Sequence, residues 1–303
     1  YIVRAPQNFL PEAVGVTPGN FVASFEGTPN NGTVRHAVSG NGNWNLLGNP
    51  YPSALNAETF LDLNTNPSGN NVLGGTLYFW THNTGVVPTA PGSQIYTYNS
   101  GDYASWNGTG STATVPGDNI INMSAPSGYI AAGQSFFVAG IANGSAIFNN
   151  TMRVAAQNNQ FFRPGPSEPI NNWDMTGKHR VWLNLKGATK GFSQALVGYI
   201  ENATNGLDNR FDGDSFGGNQ VTLYSIEEDK NLVIQGRALP FNNQDQVPLG
   251  YKSTFNGTLT ISTDHYDGLF EGQDVYLEDR LLNIVHDLQQ ADYSFASTAG
   301  TFD

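Results

Sequence analysis

The stretch Trp44-Asn45-Leu46-Leu47-Gly48-Asn49-Pro50-Tyr51-Pro52-Ser53 decides how the first half of the chain is read. Trp44, Leu46 and Leu47 are apolar enough to end a buried strand, while Gly48 frees the backbone and Pro50 and Pro52 forbid a regular ladder or helix. A hard turn is expected here. Ser53 then stands as an N-cap before Ala54 to Leu63, where Leu55, Phe60 and Leu63 fall in roughly helical spacing, so a short helix should leave the turn. The Trp44 and Tyr51 rings are expected to fill the core beneath it, because large rings beside a rigid turn bury area at little entropic cost. An aromatic residue before proline in so tight a turn also points to a cis Tyr51-Pro52 bond.

Outward from this turn the pattern is β-rich. Phe21 to Glu26 and Thr33 to Val38 read as a hairpin through a loop ending in Asn31-Gly32. Further strands are expected at Gly75 to Thr81, Gln94 to Tyr98 and Tyr103 to Trp106. Gly108 to Pro126, rich in Gly, Ser, Thr and Asn, reads as a long surface loop and the best site for proteolysis in this half. Tyr129 to Ala139 and Gly144 to Asn149 read as a hairpin through Ile141-Ala142-Asn143, with Phe136 and Val138 on one face and Phe137 on the other. The three prolines of Arg163 to Pro169 suit a stiff connection, which divides the chain into residues 1–165 and 166–303. From Lys178 onward short strands recur between Gly, Asn and Asp turns, among them Val275 to Asp279 and Leu281 to Ile284. The expected fold is all-β: two β-sandwich-like domains, the second an antiparallel jelly-roll-like sandwich, with one short helix in the first.

A chain of 303 residues suits two domains with real cores, and with no Cys it has no disulfide, thiolate metal site or Cys nucleophile. Low charge (13%), high aromatic content (12%) and abundant Gly and Asn fit an exported or cell-surface β-protein. The opening Tyr1-Ile2-Val3-Arg4 is neither an initiator Met nor a basic-then-apolar leader, so any export signal is expected to have been removed or to lie outside this stretch. The net charge of -12 is uneven: four basic against six acidic residues in 1–165, and nine against nineteen in 166–303. That balance argues against nucleic acid as a partner and favours divalent cations. No apolar run reaches the length of a membrane span.

Asp208-Asn209-Arg210-Phe211-Asp212-Gly213-Asp214 carries the sharpest chemical signal. Asp208, Asp212 and Asp214 around a Gly turn are candidate ligands for Ca²⁺, the one cofactor the sequence offers, although the spacing is not that of an EF-hand. The plainer reading is a solvated turn in which the carboxylates cap backbone N–H groups. Asp264, Asp267, Glu271 and Asp274 form a second acidic cluster that reads the same way. Gly213-Asp214-Ser215-Phe216-Gly217 matches G-x-S-x-G, but a strand rather than a helix is expected after Ser215, which removes the presentation a nucleophile needs. The histidines His36, His82, His179, His265 and His286 lack metal-ligand spacing, and His265, beside Asp264 and Asp267, is the one with an obvious acid–base partner. Glu278 and Asp279, adjacent on one strand, point to opposite faces and cannot flank one glycosidic bond; Asp279 reads as salt-bridged or turn-forming. Tyr96, Tyr98, Tyr103 and Trp106 are a weak candidate platform for stacking on sugar rings.

WNLLGNPYPS (44–53), GTLYFWT (75–81), IAAGQSFFV (130–138), FNNTMR (148–153), VPLG (247–250) and VYLED (275–279) together resemble a region of large secreted Bacteroidota proteins. In that family the region lies upstream of the C-terminal sorting domain of the type IX secretion system, often behind adhesin-like or enzymatic domains. The resemblance implies an extracellular or outer-membrane surface location in a Gram-negative bacterium and a non-catalytic stalk, spacer or adhesive role, gliding-related in some settings. Its implied partners are surface glycans or other cell-surface and secretion components. A carbohydrate-binding module, Ca²⁺-dependent through the acidic loop, is the alternative, and a hydrolase centred on Ser215 or His265 is the second.

Overall fold

A computed structural model describes residues 26–81, 87–88, 90, 96–97, 99–114, 125–158, 177–217 and 220–303. In the first half the strands are β1 (Val34–Val38), β2 (Asn43–Gly48), β3 (Ala54–Asn56), β4 (Leu73–Trp80), β5 (Val87–Pro88), β6 (Tyr96–Thr97) and β7 (Tyr103–Trp106). They continue as β8 (Ser111–Thr112), β9 (Tyr129–Ile130), β10 (Ser135–Gly140), β11 (Gly144–Phe148) and β12 (Arg153–Val154), with the helix α1 at Ala57–Asn64. A five-stranded sheet, β2-β10-β4-β7-β8, faces the β1-β11 pair and the small β12-β3-β9 sheet. Period-two alternation fills the gap: Leu47, Leu77, Phe136, Val138 and Trp106 point inward and meet Phe60, Leu61 and Phe148.

The proline-rich turn is held by Asn49, whose buried Nδ2 donates to the carbonyls of Ser53, Ile130 and Ala131 while its Oδ1 accepts from Tyr51 N at 3.0 Å. One side chain thus supplies the backbone partners that Pro50 and Pro52 cannot. Tyr51 is buried in the core as expected, but Trp44 is 44% exposed, because Leu47 rather than Trp44 takes the inward pleat of β2. Helix α1 is capped by Asn56, which accepts from Thr59 N at 2.9 Å, and not by Ser53; Ala54 and Leu55 are spent on β3 between β12 and β9. The Tyr51-Pro52 bond is not cis, the cis bond among the described residues being Leu239-Pro240. The Tyr51 ring is engaged elsewhere: its hydroxyl donates to Gly32 O and the Arg153 guanidinium lies 5.2 Å from its centroid.

Two other expectations are corrected. Strands β10 and β11 are not a hairpin; Ile141 to Asn143 carry the chain from one sheet to the other, held by Ile141 N and Ala142 N on Val72 O and by Gly40 N on Asn143 Oδ1. Residues 108–114 are not a loosely packed loop: Thr109, Thr112 and Thr114 are buried. Residues 115–124 of the same expected loop, the Phe21 to Phe25 strand and the Arg163 to Pro169 connection lie outside the described residues.

The second half contains β13 (Lys178–Gly187), β14 (Phe192–Ile200), β15 (Gly213–Asp214), β16 (Val221–Glu227), β17 (Lys230–Ala238) and β18 (Leu249–Ser253). After these come β19 (Gly257–Tyr266), β20 (Tyr276–Asp279), β21 (Ile284–Asp287), β22 (Tyr293–Ser297) and β23 (Gly300–Phe302). One long sheet runs β22-β19-β13-β14-β17-β16-β18-β23 and curls so that Ala195, Val197 and Tyr199 of β14 share a core with Leu223 of β16 and Leu259 of β19. Its pairs are antiparallel except β14 with β17, which is parallel. A parallel pair needs a long crossover, and residues 201–229 provide it. Every residue of β14 is buried: the odd positions face the sandwich core, and Gln194, Leu196 and Gly198 face the first half. Strands β20 and β21 form a separate hairpin whose Arg280 to Asn283 tip is a turn, so the strand expected at Leu281 begins instead at Ile284. Asp279 makes that turn, accepting from Leu282 N at 2.9 Å and from the Tyr293 hydroxyl at 2.8 Å.

Candidate functional site

The chemistry-bearing residues of the second half converge on its seam with the first. Residues 204–217 form a strap that lies along β4 and the segment 107–110. Asn209 clasps the backbone of β4, accepting from Gly75 N and donating to Leu73 O. A Cβ on Gly75 would overlap the Asn209 carbonyl oxygen, so this approach requires glycine. Thr76 Oγ1 donates to Asp212 O at 2.9 Å, Thr109 Oγ1 to Phe211 O at 2.7 Å, and the Tyr78 hydroxyl to Asp214 O at 3.0 Å. Arg210 reaches α1, its Nη2 lying 3.0 Å from Asp62 and 3.6 Å from Glu58. A second set of bonds joins segment 109–113 to β13 and β14: Arg180 Nη1 to Thr109 O, Trp182 Nε1 to Ser111 O, and Ala113 N to Gln194 Oε1.

The candidate calcium ligands sit inside this strap. Asp208 Oδ2 accepts from Thr204 N; Asp212 Oδ2 accepts from Asp208 N at 2.6 Å and its Oδ1 from Gly236 N at 2.8 Å; Asp214 pairs with Lys230 at 3.4 Å. Each carboxylate therefore has its own partner, Asp208 and Asp212 capping backbone N–H groups and Asp214 meeting a lysine. Burial pushes the Asp212 carboxyl up to about 7, against the pull of its two N–H donors. Among the described residues no group of three or more His, Asp or Glu side chains is disposed to hold a metal.

In the second acidic cluster Asp267 is buried against Arg180, which it meets at 2.6 Å and whose backbone N–H it also accepts. Asp264 accepts from Asn184 Nδ2 at 3.0 Å and lies 2.7 Å from His265 Nδ1; that bond holds its carboxyl below the usual range. Asp274 takes the Tyr276 hydroxyl at 3.2 Å, and Glu271 lies in the short 3₁₀ turn after Asp267. The His265 ring stacks on Trp182 at 3.9 Å. Among the described residues no hydrogen bond joins Ser215 to a histidine, and Ser215 instead bonds Asn231 O through its backbone.

The aromatic candidates divide. Trp106 is buried in the core and Tyr103 lies on the outer face of the five-stranded sheet, while Tyr98 and the side chain of Tyr96 lie outside the described residues. That outer face also carries Trp44, which was expected in the core, together with Tyr78 and Trp80, with Leu46 opposite Phe137 and Phe137 opposite Tyr78. Phe216 from the strap packs onto it, 4.7 Å from Trp44, 4.3 Å from Tyr78 and 5.2 Å from Tyr103. The alternation Trp44, Leu46 against Leu47 contains the signal, but Trp at a strand end reads equally as core.

Beside Phe216 the seam opens into a cleft walled by Ser100, Tyr103 and Thr112 from one half and Gln194, Ser215 and Thr222 from the other. It continues into a space of roughly 270 Å³ reaching Asn231, Lys252 and Thr301. No helix among the described residues is long and apolar enough to cross a membrane. No curated protein and no solved structure matches the chain. A family described as a domain of unknown function (DUF8693) matches across residues 1–303, and the chain belongs to that family.

Proposed function

We propose that this chain is a non-catalytic cell-surface region of a protein exported by the type IX secretion system, its two halves acting together as a stiff spacer or adhesive unit. The secretion route rests on the resemblance of the motifs at residues 44–53, 75–81 and 130–138. The spacer role rests on the interlock at the seam, where the strap and segment 107–113 exchange backbone and side-chain hydrogen bonds with the opposite half. Partly buried, directional bonds of this kind resist the hinge that a small polar interface would permit. The test is to replace the region in the full exported protein with a Gly/Ser linker of equal length. Export should persist while cell-surface adhesion is lost; unchanged adhesion overturns the reading.

A second reading, glycan binding, draws support from Trp44, Leu46 and Trp80, all exposed on the outer sheet face. Aromatic faces of this kind stack on the C–H faces of sugars. A glycan array with and without Ca²⁺ separates the two, since a pure spacer leaves it silent.

A further inference from the structure

Strands β16, β18 and β23 lie side by side at the second-half wall of the cleft, with Thr222 opposite Lys252 and Lys252 opposite Thr301. Directly opposed residues on neighbouring strands share a face, so these three side chains form a hydroxyl–ammonium–hydroxyl row, and all three line the same cleft. The hydroxyl of Thr222 is buried and has no hydrogen-bond partner among the described residues. Buried polar groups are almost always satisfied, so an orphaned one in a cleft wall marks where an incoming polar group would bond. Lys252 is the sole charged residue among the described residues that line the cleft, in a chain whose net charge is -12. The Phe216 ring adds an apolar, partly exposed wall.

We infer that this cleft binds a carboxylated sugar, its carboxylate on Lys252, its ring hydroxyls on Thr222 and Thr301, and its C–H face against Phe216. A polyhydroxylated ring uses every component of such a wall, and the ammonium selects the acidic form. The inference names a site and a sugar class that the outer aromatic face does not, and it stands or falls separately from the spacer role.

Isothermal titration of the whole chain with digalacturonate, galactobiose and a tetraglutamate peptide tests it. Digalacturonate should bind at least about ten-fold more tightly than galactobiose, the scale of one charge-assisted hydrogen bond. Lys252→Gln, an exposed change, should remove that difference. Thr222→Val, which deletes an unpartnered hydroxyl in the same volume, should weaken digalacturonate about five-fold while leaving the melting temperature unchanged or higher. The inference is overturned if digalacturonate gives no binding, if either variant binds it as the parent does, or if tetraglutamate binds as well as the sugar.

Discussion

The two acidic stretches of the second half, Asp208 to Asp214 and Asp264 to Asp274, look alike in sequence and are used differently. Asp267 is buried with a cation: Arg180 meets it through Nε and Nη2, and the two backbones exchange further bonds. Asp212 is half-buried without one and relies on the N–H groups of Asp208 and Gly236. A carboxylate beside a guanidinium holds two strands in register; one taken out of water without a cation is pushed toward its protonated form by desolvation, its N–H donors pulling the other way. The difference teaches that an acidic loop is read by what its neighbours bring, and the deciding ones, Arg180 and Gly236, come from other strands.

The largest expected effect separates the two directly. Asp267→Asn removes the buried charge that Arg180 meets through Nε and Nη2 and should cost about 3–5 kcal/mol in urea unfolding. A loss under 1 kcal/mol would mean that the guanidinium finds solvent or another acceptor and that the contrast fails.

The pH response comes next. The Asp212 carboxyl is raised in the folded state from 3.8 to about 7, so its contribution is fully present below the unfolded value. It is lost as pH rises from about 4 through 7, a change on the order of 4 kcal/mol. Asp212→Asn should flatten that part of the stability–pH curve relative to the parent; superimposable curves would show that the two N–H donors keep the carboxylate charged.

Asp264 should behave in the opposite sense. Its carboxyl is lowered chiefly by the bond to His265, so its contribution is present above about 4 and fades as pH falls through the folded value. Asp264→Ala should cost about 1 kcal/mol at neutral pH, the partial exposure of the His265 pair limiting the gain. Equal stability of parent and variant at pH 7 would remove this carboxylate from the comparison.

The smallest effects belong to the exposed end of the strap. Asp214→Ala breaks an ion pair with Lys230 in which both side chains are about half exposed, and should change stability by less than about 0.5 kcal/mol. Because the carboxylates of Asp208, Asp212 and Asp214 are each already engaged, Ca²⁺ should not shift the melting temperature. A calcium-dependent rise that Asp212→Asn abolishes would make the strap a metal loop after all.

Several elements were legible locally. Tyr103 to Trp106 is a strand at the residues expected, and the strands at Arg180, Gln194, Val221 and Gly257 follow their apolar runs. The capping role of the acidic turn could also be read, since Asp beside Gly bonds nearby backbone whatever the fold. Other readings failed where the deciding partner is far away. Trp44 looked like core until Phe216 supplied an outer face for it, and Gly108 to Thr114 looked like loop until Arg180, Trp182 and Gln194 covered it. The β10–β11 hairpin was a fair local inference, undone by a sandwich that places the two strands in facing sheets. Of the candidate site, Ser215 and Tyr103 were noticed for other reasons, while Thr222, Lys252 and Thr301 carry no local motif at all.

By itself the sequence determined that this is an all-β protein with a proline-locked turn and Asn- and Asp-built corners, because pleat alternation and turn chemistry act within a few residues. Only the tertiary structure decided which aromatic rings are inside, which carboxylate meets a cation and which three strands bring a lysine between two threonines. Those outcomes depend on contacts between residues from tens to more than a hundred positions apart, from Thr222 with Lys252 to Thr76 with Asp212, and no short-range pattern encodes them.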